Sequence, residues 1–164
     1  MPDSPDGGVS RRSDPRLMTV DVMSEVLIDR PKEDVSAYAA NPDNAPKWYV
    51  NIKVVEWKTP HPLSLGSRIA FVAHFLGRRM AYTYEVAEFI PGERLVMRTA
   101  DGPFPMETTY TWRAVTNGRT QMTLRNCGTP TGFSKWVAPF MAFAMRRANR
   151  NDLASLKRVV ENGV

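Results

Sequence analysis

The sequence predicts an α+β fold in which a curved antiparallel sheet of six to seven strands wraps a long C-terminal helix, with two short helices after the first strand. Three observations support this prediction. Apolar side chains recur at helical spacing over residues 138–160, which indicates one long amphipathic helix. Several earlier segments alternate apolar with polar residues, the period of a strand with one buried face. Short turns join these segments, which favours an antiparallel meander.

The first strand is predicted over residues 18–29, followed by the two short helices. Pro31 breaks the strand and opens a helix, with Asp29 as its predicted cap and acidic residues in its first turn. Asn41-Pro42 ends this helix, and a second helical turn is predicted over residues 43–48. The buried stripe of the first helix is formed by Val35, Tyr38 and Ala39.

Six further strands are predicted over residues 52–58, 66–76, 78–89, 94–100, 106–115 and 119–127. Pro91-Gly92 predicts a tight turn, and Asn117-Gly118 predicts a type I′ hairpin turn. One parity of the strands is apolar and aromatic, and we expect it to face inward, as in a sheet covered on one side. Glu25, Glu85 and Glu107 fall on the outward parity. Glu88 shares the inward parity, but it lies at a strand end next to a turn, where we expect it to contact solvent. The inward residues are Ile69, Phe71, Ala73, Phe75, Met80, Tyr82, Tyr84, Val86, Met106, Thr108, Tyr110, Trp112, Met122, Leu124 and Asn126.

The terminal helix is predicted from Ala138, with residues 132–137 as a turn or short helix before it and Asn162-Gly163 as its stop. Pro139 then lies in the first turn, where proline is tolerated. The polar face carries arginine and lysine, including Arg146, Arg147 and Arg150. The predicted buried face consists of Phe140, Met141, Ala144, Met145, Ala148, Leu156 and Val159.

The length and overall composition indicate a globular protein. Hydrophobic residues make up 43% and charged residues 24% of 164 residues, and we expect one domain over residues 18–164 after a disordered leader, residues 1–17. Cys127 is the only cysteine, so no intrachain disulfide forms, and we expect a cytoplasmic location. The net charge of +5 is spread along the chain, which argues against nucleic-acid binding. The longest apolar run, residues 136–145, is too short for membrane insertion.

A twisted sheet does not contact a straight helix along its whole length, so the pattern predicts a small-molecule pocket between them. The alternative is a tightly filled core, and periodicity leaves both open. Trp48, Phe104, Phe133 and Trp136 are predicted at loops or helix starts, either as the pocket mouth or as packing at the open end of the sheet. The predicted ligand-binding residues are Trp48, Phe71, Phe75, Tyr82, Tyr84, Met97, Thr108, Tyr110, Trp112, Asn126, Phe140, Met141, Ala144 and Met145.

Several short segments resemble one known family. They are residues 28–35 at the first strand-to-helix join, Asn41-Pro42 with Trp48, and residues 66–68, 88–94, 117–120 and 151–157. Over residues 18–161 the chain resembles the polyketide cyclase/dehydrase-like branch of the START and birch-pollen-allergen-like (SRPBCC) superfamily. The resemblance implies a helix-grip fold with a deep hydrophobic cavity. Proteins of this kind bind lipids, polyketides, sterols, quinones or plant hormones, and some catalyse cyclisation or dehydration.

The sequence contains no motif for a metal site, a phosphate-binding loop or an activated nucleophile. His61 lies between two prolines and His74 is on the polar parity of its strand, so no metal and no cofactor are predicted. No catalytic residue is assigned. The inward phenols of Tyr82, Tyr84 and Tyr110 have three interpretations: proton donors to a substrate carbonyl, groups that orient a ligand, or core residues paired with Thr108 and Asn126.

Three functional hypotheses follow. The first is binding of a hydrophobic or aromatic small molecule, such as a lipid or polyketide, in the predicted cavity. The second is a polyketide cyclase, aromatase or dehydratase that uses cavity Tyr and Asn side chains as proton donors. The third is a protein-interaction module that uses the basic face of residues 146–150.

Overall fold

Seven antiparallel strands form a single sheet that packs against a long terminal helix. The computed structural model describes residues 20–129 and 138–163. The strands lie in the order β1-β7-β6-β5-β4-β3-β2. The predicted helix-grip fold is confirmed, including both short helices. The elements are β1 Val20–Ile28, α1 Lys32–Ala40, a 3-10 turn Pro42–Asn44, α2 Ala45–Trp48, β2 Ile52–Trp57, β3 Arg68–Phe75, β4 Arg78–Ile90, β5 Arg94–Asp101, β6 Met106–Val115, β7 Arg119–Gly128 and α3 Ala138–Glu161.

The two faces of the sheet differ as the alternation predicts. Along β1 the even-numbered residues are buried or partly buried and the odd-numbered ones are exposed. The outer face carries cross-strand ion pairs, among them Arg68 with Glu85 at 2.8 Å and Arg98 with Glu107 at 2.8 Å. Exposed pairs of this kind add little stability, so the inner face holds the sheet against the helices.

An irregularity near the C-terminal end of β4 changes which of its side chains face the core. The register between β4 and β5 shifts between Val86 and Glu88, as in a β-bulge. Phe89 therefore packs against the core, while Glu88 lies 3.3 Å from Arg94 on the outer side. The inward parity of Glu88 does not hold, because a bulge reverses the faces of the residues that follow it. The Glu88 side chain is 43% exposed, which agrees with the solvent contact expected for it at a strand end.

Both predicted turns are present. Asn117 and Gly118 have φ values of 64° and 65°, the left-handed pair that a type I′ turn requires. At Pro91-Gly92 the N–H of Glu93 donates to the carbonyl of Ile90 at 3.0 Å. These turns connect consecutive strands directly, so the meander follows chain order from β2 to β7.

The buried face of α3 is rotated from the predicted one. Phe140, predicted as buried, is 57% exposed, and Ala144, Ala148 and Val159 are only partly buried. The prediction followed hydrophobicity alone, whereas the inward face includes two polar side chains. The residues facing inward are Met141, Met145, Asn149, Asp152, Leu153, Leu156 and Val160. The predicted helix bounds are confirmed: α3 begins at Ala138 and Asn162-Gly163 follows its end.

The start of α1 is fixed differently from the prediction. Pro31 is the cap residue and no side chain caps the helix, so the role predicted for Asp29 is wrong. Instead the backbone N–H of Asp29 donates to Glu161 Oε1 at 2.7 Å, and Arg30 donates to the Glu161 carbonyl at 3.0 Å. These bonds tie the entry of α1 to the last turn of α3. The predicted buried stripe of α1 is confirmed.

Some predictions fall outside the described residues. They concern the leader of residues 1–17, the turn or short helix of residues 132–137, and the positions of Phe133 and Trp136. Within residues 20–129 and 138–163, no helix is long and apolar enough to cross a membrane.

Candidate functional site between the sheet and the terminal helix

A cavity of about 130 Å³ lies between the inner face of the sheet and α3. Strands β3 to β7 supply one wall, and α3 supplies the other through Met141, Met145, Asn149 and Asp152. Residues of α1, the 3-10 turn, α2 and the segment that leads into Ile52 of β2 complete the lining, together with Phe104 from the loop between β5 and β6.

Ten of the fourteen predicted ligand-binding residues line this cavity, and their ligand-binding role stays a prediction. Trp48 and Trp112 are buried in the core behind the lining, and Phe140 and Ala144 are on parts of α3 turned away from the cavity. The strand predictions thus agree with the lining better than the helix predictions do. The ten lining residues are Phe71, Phe75, Tyr82, Tyr84, Met97, Thr108, Tyr110, Asn126, Met141 and Met145.

Several lining residues were not predicted as site residues, and the most consequential are polar: Tyr49, Asn51, Asn149 and Asp152. Asn149 and Asp152 continue the spacing of Met141 and Met145 along one helical face, so the period of the helix could have placed them inward. Tyr49 and Asn51 follow α2 in irregular backbone, where no period indicates direction. The other apolar lining residues, which are outside the set of fourteen predicted ligand-binding residues, are Ala39, Ala40, Pro42, Ala45, Ile52, Ala73, Met80, Leu95, Phe104 and Met106. Of these, Phe104 is predicted either at the pocket mouth or as packing at the open end of the sheet, and it lines the cavity.

Aromatic rings dominate one side of the cavity. The hydroxyl oxygens of Tyr49 and Tyr110 are 2.5 Å apart, so one phenol donates to the other. The ring of Tyr82 packs edge-to-face on Tyr84 with centroids 5.1 Å apart, and Phe71 stacks on Tyr82 at 5.8 Å. Such pairs fix the rings in place and leave an apolar surface with sparse hydroxyl groups.

A directed chain of hydrogen bonds crosses the sheet to α3. Thr108 Oγ1 donates to Asn126 Oδ1 at 2.7 Å, and Asn126 Nδ2 donates to Asn149 Oδ1 at 2.8 Å. Because the single hydroxyl proton of Thr108 is used in that bond, Tyr84 is the donor in its 3.0 Å contact with Thr108. The core-pairing interpretation therefore describes Tyr84, whose phenol is occupied by a protein partner.

Asp152 is the acidic group of the cavity lining. It is 4% exposed, and its carboxylate accepts a 2.8 Å hydrogen bond from the backbone N–H of Val50. Burial raises the pKa of Asp152 from 3.8 to about 6, and the Val50 N–H, which favours the carboxylate, offsets part of that effect. A carboxyl group with such a pKa can give or take a proton near neutral pH.

The tyrosine hydroxyl groups of the cavity are uncharged near neutral pH. Burial raises the pKa of Tyr49, Tyr82 and Tyr110 above the usual value of 10, and it raises the pKa of Tyr84 to about 12. The charge of Asp152 raises the pKa of the first three further. Neutral phenols donate hydrogen bonds, so the cavity combines hydrogen-bond donors with one acid that can ionise.

Solved structures with this fold include proteins of several origins. TTHA0849 from Thermus thermophilus superposes with a TM-score of 0.76 at 19% identity, covering 85% of this chain and 96% of that chain. The Zhui aromatase/cyclase from Streptomyces sp. R1128 has a TM-score of 0.72 at 16% identity, with coverages of 88% and 95%. A START superfamily protein from Mycobacterium smegmatis has a TM-score of 0.75 at 12% identity, with coverages of 87% and 97%. At these identities the likeness concerns the fold alone.

No curated protein matches the chain. The family model described as "Polyketide cyclase / dehydrase and lipid transport" matches residues 19–161, which include every described strand and helix. The chain therefore belongs to the polyketide cyclase/dehydrase and lipid transport family.

Proposed function

We propose that this protein binds an apolar or aromatic small molecule in the cavity between the sheet and α3. The observation that carries the proposal is the lining itself, in which aromatic and methionine side chains surround a few fixed polar groups. Ligand sites typically combine an apolar wall with a small number of placed hydrogen-bonding groups. The family's description, which includes lipid transport, supports the same class of function.

The cavity volume limits the guest. A cavity of about 150 Å³ accommodates benzene, so the 130 Å³ found here corresponds to about one aromatic ring. A longer molecule requires side chains at the wall to move. Met141 and Met145 are suited to this, because unbranched methionine side chains change rotamer readily and adapt to irregular shapes.

Native mass spectrometry of the protein purified after expression tests the proposal. We expect a bound species that organic extraction releases as an apolar or aromatic compound. A displacement assay with an anilinonaphthalene sulfonate dye gives a second measurement, because such dyes fluoresce in apolar sites. A protein that carries no guest, and that also binds neither the dye nor one-ring aromatic compounds, would contradict the proposal.

A second candidate is a polyketide cyclase, aromatase or dehydratase. The specific observation in its favour is Asp152, whose pKa of about 6 suits a general base, beside the neutral phenols of Tyr49 and Tyr110. In an aldol cyclisation the base removes a proton next to a ketone while a donor stabilises the enolate oxygen. The Zhui aromatase/cyclase shares the fold, which adds a structural precedent.

Turnover of a poly-β-ketone analogue distinguishes this candidate from simple binding. We expect Asp152→Asn and Tyr110→Phe to lower kcat by about 100-fold or more while dissociation constants change little, since general acid–base groups contribute on that scale. Turnover that is absent from the wild-type protein, or unchanged in both variants, would remove the proposed catalytic roles and leave the binding function intact.

A further inference from the structure

The outward face of the first half of α3 combines aromatic and basic side chains. Phe140 and Phe143 are 57% and 60% exposed, and Arg146, Arg147 and Arg150 are exposed along the next two turns. At 100° per residue these five positions fall within an arc of about 120°. We refer to these five residues as the Phe–Arg face.

Among the described residues, the arginines of this face have no acidic partners. From Ala138 to Asn151 the helix contains no aspartate or glutamate, and among the described residues no ion pair involves Arg146, Arg147 or Arg150. The outer face of the sheet differs in that several of its arginines bind cross-strand carboxylates, as Arg68 binds Glu85 and Arg98 binds Glu107. The Phe–Arg face therefore presents uncompensated positive charge beside two exposed rings.

We propose that the Phe–Arg face docks the protein onto an anionic lipid bilayer. Guanidinium groups match phosphate oxygens in charge and geometry, and negatively charged membranes attract clustered basic side chains. Phenylalanine rings on such a helix bury themselves at the boundary between headgroups and acyl chains. The helix lies on the surface and does not cross it, in keeping with the finding that no described helix is apolar enough to span a bilayer.

The composition of the face favours lipid over an acidic protein. Phe140 and Phe143 stand one turn apart and are both more than half exposed, and Phe143 adjoins a surface depression that the three arginines and Asn151 also line. A protein partner needs a fitted pocket for each ring, whereas a fluid bilayer accepts both without one. Arginine and phenylalanine on one surface-lying helix are the composition of interfacial membrane helices.

Docking by this face places the cavity wall near the membrane. Met141 and Met145, which line the cavity, belong to the same two turns of α3 and point to its opposite side. The distance between the two faces is therefore about one helix diameter, on the order of 10 Å. The docking proposal does not depend on what the cavity binds, because the two faces use different side chains.

Vesicle flotation of the full chain tests the proposal. Phosphatidylcholine vesicles with phosphatidylglycerol are compared with phosphatidylcholine alone, at low and at high salt. The variant R146E/R147E is compared with R78E/R79E, which makes the same charge change at exposed arginines of β4. F140S/F143S is compared with M23S/L65S, which removes two other exposed apolar side chains, 62% and 71% exposed.

We expect the wild-type protein to float only with the anionic vesicles and to be released by salt. R146E/R147E is expected to weaken binding about tenfold or more, and F140S/F143S by a similar factor, while each control stays within about twofold of wild type. No flotation of the wild-type protein would overturn the proposal and leave an acidic protein surface as the partner. Equal loss in R146E/R147E and R78E/R79E would also overturn it, because net charge alone would then explain binding.

Discussion

The carboxylate of Asp152 on α3 accepts a hydrogen bond from the backbone N–H of Val50 at 2.8 Å, and this bond joins the terminal helix to the segment between α2 and β2. Among the described residues, no ion pair compensates the charge of Asp152. Burial without a cation disfavours the carboxylate, which is why the pKa rises to about 6. The cavity lining thus contains an acid, Asp152, whose ionised form lowers the stability of the folded protein.

The first prediction concerns Asp152→Asn. The folded pKa of about 6 lies above the unfolded value of 3.8, so the folded protein binds more protons between them and its stability falls as pH rises through this window. Two pKa units correspond to about 3 kcal/mol at neutral pH. We expect the variant to exceed wild type in unfolding free energy by up to about 3 kcal/mol at neutral pH, and to match it below about pH 4. Urea denaturation across this pH range measures the difference.

Asp21→Asn is the control for that series. A hydrogen bond from Arg125 lowers the pKa of Asp21, so this carboxylate stabilises the fold above its unfolded pKa and loses that effect as pH falls. The variant should therefore lose stability at neutral pH, with the opposite sign to Asp152→Asn. If both variants gave parallel pH curves, the pKa shift assigned to Asp152 would be wrong.

The second prediction concerns the hydroxyl pair of Tyr49 and Tyr110. Tyr49→Phe or Tyr110→Phe leaves the other hydroxyl buried without its partner, and each is expected to lower the unfolding free energy by about 1–3 kcal/mol. The double variant leaves no orphan, so its loss should be smaller than the sum of the two. Chemical denaturation of all four proteins measures this coupling.

Tyr38→Phe provides the matched control for the pair. The Tyr38 hydroxyl is buried and has no hydrogen-bond partner among the described residues. Its removal is expected to change stability by less than about 0.5 kcal/mol or to increase it, since an unsatisfied polar group leaves the interior. Strictly additive losses for Tyr49 and Tyr110 would show that their hydroxyl groups do not interact.

The third prediction concerns Asn126, which links β7 to α3. Asn126→Leu keeps the side-chain size but removes the acceptor of Thr108 and the donor to Asn149, so we expect a loss of about 1–3 kcal/mol. Gln121→Leu changes an outward side chain of the same strand and should cost less than about 0.5 kcal/mol. Thermal or urea unfolding compares the two. Equal losses would mean that the chain from Tyr84 to Asn149 is not a structural link.

The sequence predicts the sheet and its inner face because successive side chains of a strand point to opposite faces. The resulting alternation of apolar and polar residues is visible within a few neighbouring positions. The alternation predicts that Phe71, Tyr82 and Tyr110 face inward, and all three line the cavity. The rule failed at Glu88, where a bulge adds a residue that no alternating pattern reveals. A bulge depends on how two neighbouring strands pair, so the residues around it in the sequence do not reveal it.

Polar groups of the site were harder to predict than its apolar wall. Hydrophobicity placed Phe140 inward and left Asp152 out, although Asp152 shares the helical face of Met141 and Met145. The carboxyl group is accommodated because Val50, distant in the chain, supplies a backbone N–H. A contact of that range depends on how α2 packs on α3, so no local pattern could indicate it.

The last prediction tests the cavity directly by filling it. Ala73 lines the cavity from β3 and is 6% exposed, so Ala73→Leu places three additional side-chain carbons in a space of about 130 Å³. Ala70→Leu adds the same atoms on the outward parity of the same strand and is the matched control. We expect Ala73→Leu to weaken dye or aromatic-ligand binding by about tenfold or more, because overlap removes contacts worth over 1.4 kcal/mol, while Ala70→Leu binds as wild type. Isothermal titration measures both, and circular dichroism verifies that both are folded. If Ala73→Leu bound the ligand with wild-type affinity while folded, the guest would have to occupy another site, and the cavity between β3 and α3 could not be the place where this protein holds it.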